Sequence, residues 1–183
     1  MSATAQTRMT VEEFIAWAME QPEGKRYELV AGEAVSMSPE RAGHGRTKFR
    51  FARRLAEAIE TASLTCEVFV DGVSVRVDAN TLYEPDAFVR CGAPIDDNAT
   101  VIADPLIVIE AVSPTSRKRD SGSKLEDYFR IPSVRHYLIV KTENQAIIHH
   151  RRDEAGEIST HIIRDGVVQL DPPGLTVTGL FTP

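Results

Sequence analysis

Residues 105–120 read PLIVIEAVSPTSRKRD, and the way this stretch is interpreted decides the fold. Leu106, Ile107, Val108 and Ile109 form an uninterrupted apolar run of the kind that makes a buried strand. Glu110 follows at once. An ionised carboxylate in such surroundings costs several kcal/mol unless a cation compensates it. The run therefore predicts a strand that ends in a partner for Glu110, either a bound metal ion or a structural lysine or arginine.

Working outward, CEVFV (66–70), VSVRV (73–77) and DAFVR (86–90) are further strand candidates. They are rich in β-branched and aromatic residues and divided by Asp-Gly, Asn and Pro signals. Together with LIVIEAV they predict a curved, mixed central β-sheet. Thr10 and Glu13 form a capping box ahead of Val11, Phe14, Ile15 and Ala18, which repeat at helical spacing. RYELVAGEAVSMS reads as a hairpin, Tyr27–Val30 and Ala34–Met37, turning at Ala31-Gly32. From about Gly45 to Ala62 an apolar stripe of Phe49, Ala52, Leu55, Ala56, Ile59 and Ala62 predicts a second helix. A third helix is expected from about Ser121 to Arg130, followed by strands at RHYLIV and QAIIHHR. Beyond Arg152 the chain is β-rich and carries no motif with a chemical reading. Helices in front of and between strands, with no repeat and no linker, predict one α/β (α+β) domain over residues 1–183, its central sheet flanked by helices.

The 183 residues are 42% hydrophobic and carry a formal net charge of −6, which argues against avid, nonspecific nucleic-acid binding. Residues 41–54, RAGHGRTKFRFARR, are a local exception, with six basic residues and no acid. Arg46, Arg50 and Arg54 stand four apart there. They form either a solvated charged face or a phosphate-facing ridge. Cys66 and Cys91 lack CxxC spacing, indicate neither a zinc site nor a disulfide framework, and read as small hydrophobes. No stretch is long and apolar enough to span a membrane, and MSATAQTRMT lacks a signal-peptide core, so a cytoplasmic protein is expected.

A second acid stands ahead of another strand, in Glu84-Pro85-Asp86. If Asp86 and Glu110 converge from neighbouring strands, two hard oxygen ligands and a backbone carbonyl such as that of Ala111 make a minimal Mg²⁺ or Mn²⁺ site. The alternative is a Pro-Asp turn beside a structural salt bridge. Asp120 and Lys124 are four residues apart at a helix start. Lys124 either reaches the carboxylates, where an ammonium serves phosphodiester hydrolysis, or forms an exposed pair with Asp120.

RYELVAGEAVSMS, the GHG at 43–45, YEPDAFV, VIEAVSPTS and RDSGSKLEDY together resemble the Uma-two family of restriction endonucleases, a branch of the PD-(D/E)XK nuclease superfamily. The resemblance covers roughly residues 9 to 150. It implies a restriction-endonuclease-like core with a metal site at the strand ends. Asp86 matches the aspartate of the Pro-Asp motif and Glu110 the acid of the (D/E)XK strand, both as metal ligands. Position 112, two residues on, carries Val112 where the superfamily usually has lysine, and Lys124 is its replacement. Glu28 matches an acid placed near the metal, with a solvent-facing hairpin charge as the alternative. His44 matches a family position that meets phosphate or orders a water, and Asp120 is expected to hold Lys124 or the neighbouring loop. His136 and Lys141 depart from the family pattern outside the proposed site.

The resemblance thus implies a Mg²⁺-dependent (or Mn²⁺-dependent) endonuclease acting on DNA, with Asp86, Glu110, Lys124 and Glu28 at its centre. His44, Arg46, Arg50, Arg54, Arg117, Lys118 and Arg119 would meet the nucleic acid, and a homodimer would suit a duplex. A noncatalytic nuclease-fold protein that binds nucleic acid or a partner protein is the alternative. Carboxylate chemistry on sugars is remote, because 7% aromatic residues leave little for a sugar platform.

Overall fold

The computed structural model describes residues 8–112, 123–141 and 143–181. Helix α1 (Val11–Met19) leads to the hairpin β1 (Tyr27–Val30) and β2 (Glu33–Ser36), and then to helix α2 (Ala42–Thr61). Strands β3 (Cys66–Phe69), β4 (Ser74–Arg76), β5 (Leu82–Tyr83), β6 (Ala87–Cys91), β7 (Val101–Ile102) and β8 (Ile107–Val112) follow. Helix α3 (Ser123–Arg130) precedes β9 (His136–Lys141), β10 (Ala146–Arg152), β11 (Ile158–Ile163), β12 (Val168–Leu170) and β13 (Leu175–Val177).

Two sheets carry the site. The larger has the order β11-β10-β9-β8-β6-β3, and the smaller β2-β1-β5-β4-β7. In the larger sheet β8 is central, antiparallel to β6 and parallel to β9, so the sheet is mixed as expected. Successive side chains of a strand point to opposite faces. Ile107, Ile109 and Ala111 accordingly join Phe51, Leu55 and Ile59 of α2 in one core. Val108 joins Tyr128 and Phe129 of α3, with Val75 and Tyr83 of the smaller sheet, in another. Each of these large apolar side chains contributes about 1.5–3 kcal/mol by burial. Apart from Glu110 the strand is apolar, because both of its faces are covered.

The helix and hairpin expectations hold with adjustments. Both halves of the capping box form, Glu13 N–H donating to Thr10 and Thr10 N–H to Glu13. Ala31 and Gly32 both have positive φ, as a two-residue hairpin turn requires, and a Cβ on Gly32 would lie 2.7 Å from the Arg8 Cβ. On α2 the stripe is rotated from the expected one. Phe49 is 70% exposed, and the buried face is Lys48, Phe51, Leu55 and Ile59. A charged residue begins that face because it ends in an ionic cluster rather than in the core.

The reading of the cysteines is corrected. Cys66 and Cys91 are joined in a disulfide bond. Their 25-residue separation carries no local signature. The antiparallel register of β3 and β6 sets the two residues directly opposite one another.

His136, one of the two departures from the family pattern, is fully buried. Its ring bonds the Pro172 carbonyl at 2.8 Å and His149 Nε2 at 2.9 Å, tying the turn between β12 and β13 to the larger sheet. Burial, ahead of nearby arginine charge, lowers His136 to about 4, and burial with the neighbouring histidines does the same for His149. Both rings are then neutral, His149 donating to His136 and His136 to the carbonyl.

The unfolded chain takes up these protons near 6.5 and the folded chain only near 4. The pair therefore contributes stability that is complete above pH 6.5 and lost as the pH falls through that window. Urea midpoints measured across it should fall more steeply for the wild type than for a His136→Asn/His149→Gln variant.

Candidate active site

The register of β6 and β8 brings the two acids together. Ala87 pairs with Ile109, so continuing by one residue sets Asp86 opposite Glu110 at the end of the ladder. Pro85 is buried beside it and needs no ladder hydrogen bond there. Asp86 Oδ2 accepts from the Ala111 N–H at 2.6 Å, which locks the Pro-Asp carboxylate to the strand carrying Glu110.

Glu110 lies on the α3 side of β8. Lys124 Nζ donates to Glu110 Oε1 at 3.0 Å and also to Glu28 Oε1 at 3.0 Å. Tyr128, four residues along α3 from Lys124, donates its hydroxyl to the same Glu110 Oε1 at 2.7 Å. Glu28 stands on β1 and also accepts from the Glu84 N–H at 3.1 Å. One ammonium thus joins the two sheets. It is 6% exposed and sits 4.9 Å from the centre of the Tyr83 ring, whose hydroxyl donates to Asp127 at 2.5 Å.

The charges are strongly coupled. Burial raises Glu110 to about 7, with the Lys124 ammonium opposing and the Asp86 and Glu28 charges reinforcing. Burial pulls Lys124 down, but Glu110 and Glu28 outweigh it and hold the ammonium well above its usual range. Burial and the Glu110 charge push the Tyr128 hydroxyl up, so it remains a donor.

A second cluster faces Asp86 from α2. His44 Nε2 bonds Asp86 Oδ1 at 2.9 Å. This hydrogen bond raises the imidazole above its usual range against the pull of burial. Lys48, one turn further on and 4% exposed, bonds Asp71 Oδ1 at 2.5 Å and Glu40, and lies 3.6 Å from Asp86 Oδ1. Burial works against its charge, but Asp71, Glu40 and Asp86 together hold it raised. Glu40, His44 and Asp86 bring three ligand atoms within 4.8 Å of one another, a set able to hold a metal ion. Asp86 is common to this set and to the pair with Glu110.

The structure therefore brings together Glu28, His44, Asp86, Glu110, Ala111 and Lys124. Lys124 is buried among carboxylates and not an exposed surface charge, and Glu28 does not face solvent. Arg46 and Arg50 lie two residues beyond His44 and Lys48, roughly 200° around the helix, on its far side. Arg54 pairs with Glu57 at 2.9 Å. Arg117, Lys118, Arg119 and Asp120 lie outside the described residues.

Sequence reasoning missed Tyr128, Lys48, Glu40 and Asp71. The first two carried a usable signal, since each follows an already suspected residue, Lys124 or His44, by four positions on a helix.

These features define a nuclease fold of the restriction-endonuclease type with an acidic, lysine-compensated centre. A solved structure described as a putative nuclease belonging to DUF820, from Anabaena variabilis, superposes with a TM-score of 0.70 at 16% identity. The match covers 95% of this chain and 98% of that one. Residues 11–180 match the Uma2 family, described as "Putative restriction endonuclease", and the chain belongs to that family. Two uncharacterized proteins of Synechocystis sp. are each 22% identical, over 149 and 156 residues. Those matches cover 80% and 83% of this chain and 76% and 86% of theirs. No helix among the described residues is long and apolar enough to cross a membrane.

Removing the ammonium would leave Glu28 and Glu110 uncompensated. Lys124→Met should lower the unfolding free energy by about 3–5 kcal/mol near pH 8. The loss should shrink near pH 5, because Glu110, already raised to about 7, then holds a proton and needs no counter-charge. Urea titrations of both proteins at the two pH values check this.

Proposed function

We propose that this chain is a metal-dependent endonuclease that hydrolyses phosphodiester bonds of DNA. One observation carries the reading: among the described residues, both hydrogen bonds to Glu110 fall on Oε1, while Asp86 stands opposite. Among the described residues Glu110 Oε2 accepts no hydrogen bond, so it would be the oxygen to meet an ion. A purely structural salt bridge does not require two donors on one oxygen and a second acid across from it.

Asp86, Glu110 and the Ala111 carbonyl would hold Mg²⁺ or Mn²⁺. In a strand a residue's N–H and C=O share one edge, so the Ala111 carbonyl points to the side from which its N–H reaches Asp86. The donor set is hard and oxygen-rich, which suits these ions; only an ion held instead by the neighbouring Glu40–His44–Asp86 set would meet an imidazole, which favours Mn²⁺ over Mg²⁺. Bound there, the ion supplies positive charge for a phosphate oxygen and for orienting a water.

The chain's own residues do the rest. Lys124 and Tyr128 fix Glu110, and the Lys124 ammonium supports negative charge that develops near it. Glu28 holds Lys124, and Ala111 N–H holds Asp86. His44 is placed to exchange a proton beside Asp86. Arg117, Lys118 and Arg119 would meet the DNA backbone and position it without reading sequence, while Arg46 and Arg50, on the far side of α2, and Arg54, paired with Glu57, would meet it only away from the centre. A homodimer would present two such centres to the two strands.

The charge balance favours a second reading. Lys48 and Lys124 already neutralise much of the acidic cluster, as a noncatalytic binding protein of this fold would need. Calorimetric titration with Mn²⁺ separates the two, since only the first needs the ion.

Asp86→Asn and Glu110→Gln should abolish metal-dependent nicking of supercoiled plasmid. Tyr128→Phe should slow it by about 10–100-fold. An EDTA control and circular dichroism of each variant complete the assay. A folded wild type that is silent with every divalent metal, or variants that cut as well as it does, would refute the proposal.

A further inference from the structure

We infer that β11 is a homodimerisation edge, at which two copies of this chain join their larger sheets antiparallel about a two-fold axis at Thr160. This names the surface for the homodimer proposed above and rests on no catalytic property.

β11 closes one end of the six-stranded sheet, and among the described residues no strand covers its outer edge. Exposed edges are ordinarily blunted by charge, proline or a bulge, because their unpaired backbone groups recruit other strands. Two other edge strands follow the rule, β3 carrying Glu67 and β2 carrying Glu33. β11 does not. Its six residues, Ile158, Ser159, Thr160, His161, Ile162 and Ile163, include no acid, lysine, arginine or proline, and all but the last are exposed. Ile158 is 49% and Ile162 64% exposed, unusual for isoleucine on a strand of such high β-propensity.

The order of these residues says what covers them. Ile158 and Ile162 flank Thr160 by two positions on either side, so all three share one face of the sheet. Antiparallel pairing centred on Thr160 sets Thr160 against its counterpart, and Ile158 of each copy against Ile162 of the other. Both exposed isoleucines then become cross-strand apolar pairs, twice over. A symmetric sequence meeting its own copy gives an isologous contact that closes at two subunits.

Charge agrees with this register. Continuing it beyond the strand sets Arg164 of one copy beside Gly156 of the other, in the turn that also carries Glu154 and Glu157. None of these three charged side chains forms an ion pair among the described residues, and Gly156 leaves room, with nothing within 4 Å of a Cβ built there. Inside one chain Glu157 and Arg164 bracket the strand, on the order of 20 Å apart, and do not meet.

Sedimentation equilibrium of the full chain tests the inference. The wild type should have the mass of two chains, and Ile162→Lys, altering a side chain already in solvent, should reduce it to one with an unchanged circular dichroism spectrum. Thr160→Cys should cross-link two chains on mild oxidation, whereas Ser159→Cys, whose counterpart lies off the axis, should not. A wild type that stays monomeric at about 100 μM overturns the proposal. So does a dimer that survives Ile162→Lys or one in which Cys at 160 fails to cross-link. Mass and cross-linking are read without cleavage, so failure here is distinct from failure of the nuclease reading.

Discussion

A carboxylate at the end of a doubly covered strand must be compensated, and the Glu110–Lys124 pair does so here. The rest of the site follows from it. Lys124 reaches Glu110 only if α3 packs on that face of β8, and Tyr128 and Phe129 hold α3 there through the second core. A single ammonium cannot stabilise itself in such burial against one carboxylate alone without further bonds. Glu28 supplies them from the other sheet, so the same charge that protects Glu110 fastens the two sheets together. Position 112 lies two residues from Glu110 on the same face of β8, and its valine packs against the second core. The helix delivers a lysine to the region the strand leaves without one.

Lys48 repeats the device on the other side of Asp86. It is buried at the head of α2 and held by Glu40 and Asp71, with Asp86 close by. Two lysines from two helices therefore flank the Asp86–Glu110 pair. Each keeps a cluster of like charges from forcing the strand ends apart, and neither occupies Glu110 Oε2. Such an arrangement keeps the acids assembled at the strand ends without relying on any other charge.

Much of this was legible in the residues. The apolar run with its terminal acid, the Pro-Asp before a second strand and the lysine at the head of a helix identified three elements of the centre. Their meeting depended on register, which antiparallel pairing of β6 with β8 supplies and which local sequence does not encode. Lys48 was hidden in a run of basic residues, where charge alone gives no direction. The expected stripe shared Leu55 and Ile59 with the buried face but took in Phe49, about 200° around the helix from Phe51, and left out Phe51 and Lys48. The disulfide escaped for the same reason as the acid pair, because Cys66 and Cys91 are neighbours only across a ladder. His136, a departure from the family pattern outside the proposed site, is buried, and its partners His149 and Pro172 lie on other strands and turns.

The sequence by itself determined the kinds of element, the mixed sheet, and which acids stand at strand ends, since hydrophobic period, capping and proline act within a few residues. It also carried the ordered motifs of the family to which the chain belongs. Tertiary structure alone decided which oxygen of Glu110 is held, that Glu28 shares its lysine, that Lys48 points inward and that two cysteines are bonded. Those outcomes depend on contacts between residues far apart in the chain, where angstrom-scale distance and burial set the strength of a charge, and neither quantity exists until the sheets and helices have packed.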